Sequence, residues 1–334
     1  MFRSLLIPVD GSAFGEHALP WALSIARRTG ASLKIAHVAQ PPSAAYSEAA
    51  LYIMDELRQE TLARDRAYLE GVVRRVKDAV SVPVEAVELE GDVAPALCEQ
   101  IAQNQIDLVV LATHGRGPLG RFWLGSVADE MVRRAPAPLL LIRPDEGRVD
   151  LARECSFHHV LIPLDGSEMA ERILEPAVAL GSLTKADYTF LRVIKPFILP
   201  APVPEAGTVG QQVQVLQEKI QEVEERMNQE ASDYLEGVAN RFRSKDLRVQ
   251  TQVALSDRPA SAVLHAAEHT EFHSPDELAA RPTSNVGQEP QTVDLIALET
   301  HGRRGLSRLV LGSVADKVIR GAHIPVLVHR PLQA

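Results

Sequence analysis

Two short patterns in the chain bring together residue types suited to holding a phosphorylated ligand. The first is Pro8-Val9-Asp10-Gly11-Ser12, where a carboxylate and a hydroxyl close an apolar run. The second is His114-Gly115, followed after nine residues by Gly125-Ser126-Val127. Glycine lets a backbone approach an anion closely, N–H groups at a helix start point toward it, and a serine adds a hydroxyl donor. Both patterns recur, as Pro163-Leu164-Asp165-Gly166-Ser167 and as His301-Gly302 with Gly312-Ser313. The chemistry they suggest is anion binding beside a carboxylate. His114 and His301 have no nucleophile or partner carboxylate placed beside them by sequence, so a phosphate or backbone contact is the reading preferred to general-base catalysis.

The recurrence means duplication. Asp10 and Asp165 are 155 residues apart, whereas Gly125 and Gly312 are 187 apart, so the second copy carries insertions. These fall near 194–212, a proline-rich stretch, and near 270–292, a polar stretch. The copies are expected at 1–145 and 156–334, with a linker at 146–155. In the first copy, apolar strands are expected at Leu5–Val9, Ser32–Val38, Val84–Val87, Asp107–Leu111 and Leu139–Ile142, alternating with helices. The first helix is expected from Ser12 to a stop at Gly30. Such alternation describes an α/β domain, a doubly wound five-stranded parallel sheet flanked by helices, built twice. Doubly wound sheets bind ligands at the carboxyl ends of their strands, where both patterns lie. Val213, Leu216, Ile220, Val223, Met227, Tyr234, Val238 and Phe242 recur at helical spacing in the second copy, and this stripe is expected to pack in the core. Ser12 and Ser167 are expected to cap helices, leaving Asp10 and Asp165 for a ligand.

Composition narrows the function further. With 46% hydrophobic residues the chain can bury two cores, and with only 4% aromatics those cores must rest on aliphatic side chains. A net charge of −9 argues against a general nucleic-acid partner, which needs a basic surface. No apolar run approaches the roughly 20 residues needed to cross a bilayer, and the opening residues lack a signal-peptide pattern, so a cytoplasmic protein with no membrane partner is expected. Cys98 and Cys155 have no metal-ligand spacing, and no metal-ligand residues are assigned.

Taken together, the opening Pro-x-Asp-Gly-Ser and the closing Gly-x9-Gly-Ser resemble a tandem universal stress protein of the UspA type over nearly the whole chain. The resemblance implies a Rossmann-like fold of the adenine nucleotide alpha hydrolase kind and a module that binds ATP, with Mg2+, in stress response or signalling. It implies that Asp10 and Asp165 meet adenine and that Val38 and Val193 line the base pocket. It assigns phosphate and ribose to the turn of His114, Gly115, Gly125 and Ser126, and to Gly302, Gly312 and Ser313. Pro8, Val9 and Val127 complete the nucleotide-binding positions. It also implies an intramolecular pseudo-dimer through Leu139–Ile142 and Val326–Val328, and is compatible with a further homodimer. The family's first glycine is replaced by Ala112 and by Glu299, and Gly91 corresponds to Ser256. A carboxylate at Glu299 would repel polyphosphate unless it held a bridging divalent ion, so the first site is expected to bind ATP better. The alternatives are a slow ATP-hydrolysing enzyme and a scaffold without nucleotide.

Overall fold

The computed structural model describes residues 2–40, 48–113, 124–145, 147–196, 209–269, 292–300 and 311–330. In the first half the strands are β1 (Ser4–Pro8), β2 (Ser32–Ala39), β3 (Val84–Glu90), β4 (Leu108–Ala112) and β5 (Leu139–Ile142). The helices between them are α1 (Leu19–Thr29), α2 (Glu48–Ala79), α3 (Val93–Gln103) and α4 (Ser126–Arg134). The second half repeats the pattern with β6 (His159–Pro163), β7 (Asp187–Ile194), β8 (Val249–Leu255), β9 (Leu295–Glu299) and β10 (Val326–His329). Its helices are α5 (Leu174–Gly181), α6 (Val209–Arg243), α7 (Pro259–His269) and α8 (Ser313–Gly321).

The first helix starts later than expected. Gly15–Ala18 forms a 3-10 turn, and α1 begins at Leu19, where Pro20 fits the first helical turn because its missing N–H needs no partner there. Gly30 ends α1 in the left-handed conformation, φ 73°, with its N–H on the Ala26 carbonyl. Among the described residues no helix is long and apolar enough to cross a membrane.

All ten strands form one sheet in the order β3-β2-β1-β4-β5-β10-β9-β6-β7-β8. Pairing is parallel within each half and again from β6 to β10. Only β5 and β10 run antiparallel, with Leu140 opposite Leu327. The central strands β1, β4, β5, β6, β9 and β10 are apolar on both faces because both are covered, whereas the edge strands β3 and β8 carry exposed polar residues. One face packs under α1, α2, α5 and α6, the other under α3, α4, α7 and α8.

The joint is reinforced symmetrically. Arg320 on α8 donates to Asp129 on α4 at 2.8 Å and to Asp316 at 2.8 Å, while Arg133 donates to Asp129 at 3.0 Å. Arg143 donates to the Ala322 carbonyl at 3.0 Å, and its counterpart Arg330 donates to that of Arg133. The segment before β6 is fastened to α1: Ser24 Oγ accepts from the Cys155 N–H at 2.8 Å, and Arg28 donates to the Cys155 carbonyl.

The apolar stripe on α6 does not behave as one core-facing row. Tyr234, Val238 and Phe242 pack into the core, but Leu216 and Val223 are 40% and 41% exposed. At about 1.5 Å per residue, 35 residues reach roughly 52 Å, whereas the eight-residue β7 spans roughly 26 Å. The sheet can cover only part of such a helix.

Leu140 and Leu327 are wholly buried at the joint. Truncating Leu327 to Ala is expected to cost about 2–5 kcal/mol in urea unfolding. A loss below about 0.5 kcal/mol, typical of surface substitutions, would contradict the packing assigned to this joint.

Candidate functional site

In each half the strand order reverses between the first strand and the fourth, β1 and β4 or β6 and β9, which opens a crevice at their carboxyl ends. In the first half this crevice is a cleft of about 670 Å³. Its walls include Pro8, Val9, Asp10, Val38, Ala112, Gly125, Ser126 and Val127, so these expected positions converge on one cavity. His114 and Gly115 lie outside the described residues, as does Gly302 in the second half.

Asp10 is held in place by its own turn. Its Oδ1 accepts from the Ser12 N–H at 3.0 Å and the Ser12 hydroxyl at 2.6 Å, and that hydroxyl accepts from the Gly15 N–H at 3.1 Å. Asp165, Ser167 and Ala170 repeat the clasp at 2.9, 2.6 and 3.2 Å. The serine therefore serves the turn and orients the carboxylate together. A Cβ at Gly15 would lie 2.5 Å from Asp10 Oδ1, and the clasp with Ala170 in the equivalent place shows that the turn can accommodate one.

The helix start is also narrower as an anion site than the pattern suggests. The Gly125 N–H is bonded to the Thr113 carbonyl at 2.9 Å, and Gly312 to that of Thr300 at 2.9 Å. A Cβ on Gly312 would stand 3.0 Å from this carbonyl, which explains glycine there. The N–H groups of Ser126, Val127 and Ala128 begin α4, and the first N–H groups of a helix have no partner within it, so the positive end of the helix opens at these three.

Several cleft residues were not anticipated from sequence. His37 is buried, with Nδ1 2.8 Å from the Val9 carbonyl and Nε2 3.4 Å from Asp65 on α2. Since a carbonyl only accepts, Nδ1 carries a proton. Thr61 and Arg64, also on α2, line the same cavity. They come from a long helix with no motif, and only the fold brings them to the strand ends. The helix itself is anchored by Tyr68 and Arg75, which donate to Glu16 at 3.0 and 2.8 Å. Burial and the adjacent Glu16 push the Tyr68 phenol well up, keeping it a donor. Tyr234 and Arg241 on α6 repeat this anchor at Glu171.

The second half keeps the frame and carries larger residues at four equivalent positions. Register places Leu191 opposite Pro163, where Ala36 stands opposite Pro8. Leu164, Ala170 and Glu299 occupy the places of Val9, Gly15 and Ala112, so four positions gain bulk. Leu191 and Leu164 are buried. Arg192 replaces His37 and lies over the Tyr234 ring at 5.0 Å, and the place of Asp65 is taken by the buried Ala231. Val193 retains its position on β7 beside Ala254 and its neighbours.

Glu299 was expected to face polyphosphate or a bridging ion. It is instead buried, and its Oε1 lies 2.6 Å from His329 Nδ1, the residue opposite it in the sheet. In the first half the same pair is Ala112 and Ile142. The apolar couple has been exchanged for an acid–imidazole couple. Among the described residues, no three His, Cys, Asp or Glu side chains gather as a metal site.

Burial pushes the Glu299 carboxyl up from its ordinary value, partly offset by His329. A carboxyl raised in the fold stabilises below its unfolded pKa, and that stability is lost as pH rises toward the folded value. As pH rises from below the ordinary carboxylate range, the wild type is therefore expected to lose stability relative to Glu299→Gln. Parallel stability–pH curves from urea titrations of the two proteins would contradict the placement of this carboxyl.

The Universal stress protein family matches residues 1–143 and 156–330. A universal stress protein of Mycobacterium tuberculosis is 25% identical over 338 residues, covering 98% of this chain and 97% of its own length. One from Thermus aquaticus is 32% identical over 144 residues, which is 43% of this chain and all of the relative. The crystal structure of a universal stress protein from Archaeoglobus fulgidus shares the fold with a TM-score of 0.57 at 18% identity, covering 98% of this chain and 96% of that one. With both halves matched in sequence and the ten-stranded tandem architecture in hand, the chain belongs to the universal stress protein family.

Proposed function

We propose that the first half binds an adenine nucleotide, ATP with Mg2+ or a close relative, and that the second half binds it weakly or takes another ligand. The observation that carries this reading is the clasped Asp10 at the floor of the first cleft, facing the same cavity as the start of α4. A base seated against Val9 and Val38 would meet an acceptor at Asp10. Adenine presents its 6-amine to such a group, and a guanine seated in the same orientation would place its 6-keto oxygen there instead. Phosphates would lie toward Ser126 and Val127, where helix N–H groups favour negative charge. Mg2+ would arrive on those phosphates.

The function that follows is signalling by occupancy in a stress response, with turnover as a slower alternative. His37 and Asp65 face each other and the Val9 carbonyl, an arrangement that orients the cleft wall without presenting a nucleophile. In the second half, the larger residues at 164, 170, 191 and 299 support weaker binding through lost space more than through charge repulsion.

Calorimetric titration of the full chain tests this. ATP is expected to bind more tightly than GTP, and Asp10→Asn, which offers an amide donor as well as an acceptor, is expected to cut that preference by about tenfold or more. Installing the second-half residues in the first cleft, with Gly15→Ala and Ala36→Leu together, is expected to abolish measurable binding. Undiminished affinity in that double variant would overturn the assignment of the cleft, and multiple-turnover phosphate release would favour the enzymatic alternative.

A further inference from the structure

The part of α6 that outreaches the sheet carries a pattern of its own. From the sequence, Val213, Leu216, Ile220, Val223 and Met227 follow one another at steps of three, four, three and four. That is the a and d seam of a heptad repeat, with Val213, Ile220 and Met227 at a and Leu216 and Val223 at d. The d residues are among the exposed large hydrophobic side chains of the chain, while Ile220 and Met227 are half-buried. The helix becomes core-packed only further on, from Ala231 and Leu235. On α2, the equivalent long helix, a step of seven from Leu51 falls on Arg58, so no such seam runs along it.

We propose that the α6 seam of Leu216, Ile220, Val223 and Met227 forms a parallel two-stranded coiled coil with the same seam of a second copy of this chain. A β-branched residue at a with leucine at d favours two strands, which fits Ile220 and Leu216. The flanking charges choose the direction. In a parallel pair, Lys219 at g faces Glu224 of the other copy at e, and the reciprocal contact forms on the opposite side. An antiparallel pair centred on the same seam would set Lys219 against Arg226. The terminal strands β5 and β10 cannot serve a second copy, because they are already paired with each other. A twofold seam along α6 also closes on itself and produces a dimer, not a filament. This inference does not depend on the nucleotide reading.

Sedimentation equilibrium on the full chain tests it. The wild type is expected to reach twice the 36.5 kDa chain mass. Leu216→Glu with Val223→Glu is expected to give monomers whose urea unfolding, followed at the two core regions, matches the wild type. Lys219→Glu alone is expected to weaken the dimer by about tenfold or more, and adding Glu224→Lys is expected to restore it. A monomeric wild type overturns the proposal. So does a dimer that survives the double glutamate substitution, or a charge reversal that fails to rescue.

Discussion

Everything in this molecule hangs on an antiparallel contact between two four-residue strands, β5 and β10. Each half ends its sheet on a strand buried on both faces, and such a strand leaves a row of unpaired backbone groups at its edge. Pairing β5 with β10 satisfies both edges at once and merges two five-stranded sheets into one. The same pairing places α4 beside α8, where Asp129 and Arg320 bridge the halves. Those charges are partly exposed, so the aliphatic residues of the two strands, Leu140 and Leu327 among them, carry most of the stability of the joint.

Duplication supplied two equal frames, and substitution made their interiors differ. The clasp of Asp10 by Ser12 and the anchor of Tyr68 on Glu16 are repeated almost atom for atom at Asp165 and Tyr234. These interactions set the turn and the helix, so the fold requires them in both halves. The small residues around the first cleft are not required by the fold. At the corresponding places the second half has Leu164, Ala170, Leu191 and Glu299, and Glu299 has acquired His329 as a buried partner. A buried carboxylate without a partner is costly, which explains why the two changes occur together.

Much of this was legible in the sequence, and the reasons are local. Repeated motifs gave the duplication, apolar runs gave the strands, and the glycine-serine turns marked the carboxyl edge. The strand boundaries differ from the expected ones by a few residues. What the sequence concealed depends on distance in the fold. His37 and Asp65 lie on different elements and meet only when α2 packs over β2. Glu299 reads as a charge aimed at phosphate until its sheet neighbour is known to be His329. The α6 stripe reads as core because helical spacing cannot say where the sheet ends.

On the proposed function, the first half binds the nucleotide and the larger residues at 164, 170, 191 and 299 weaken binding in the second. Equilibrium dialysis of the full chain against radiolabelled ATP at saturating concentration measures this most directly. One nucleotide per chain is expected at the high-affinity site, lost when the first cleft is blocked. Two nucleotides bound with equal affinity would contradict it.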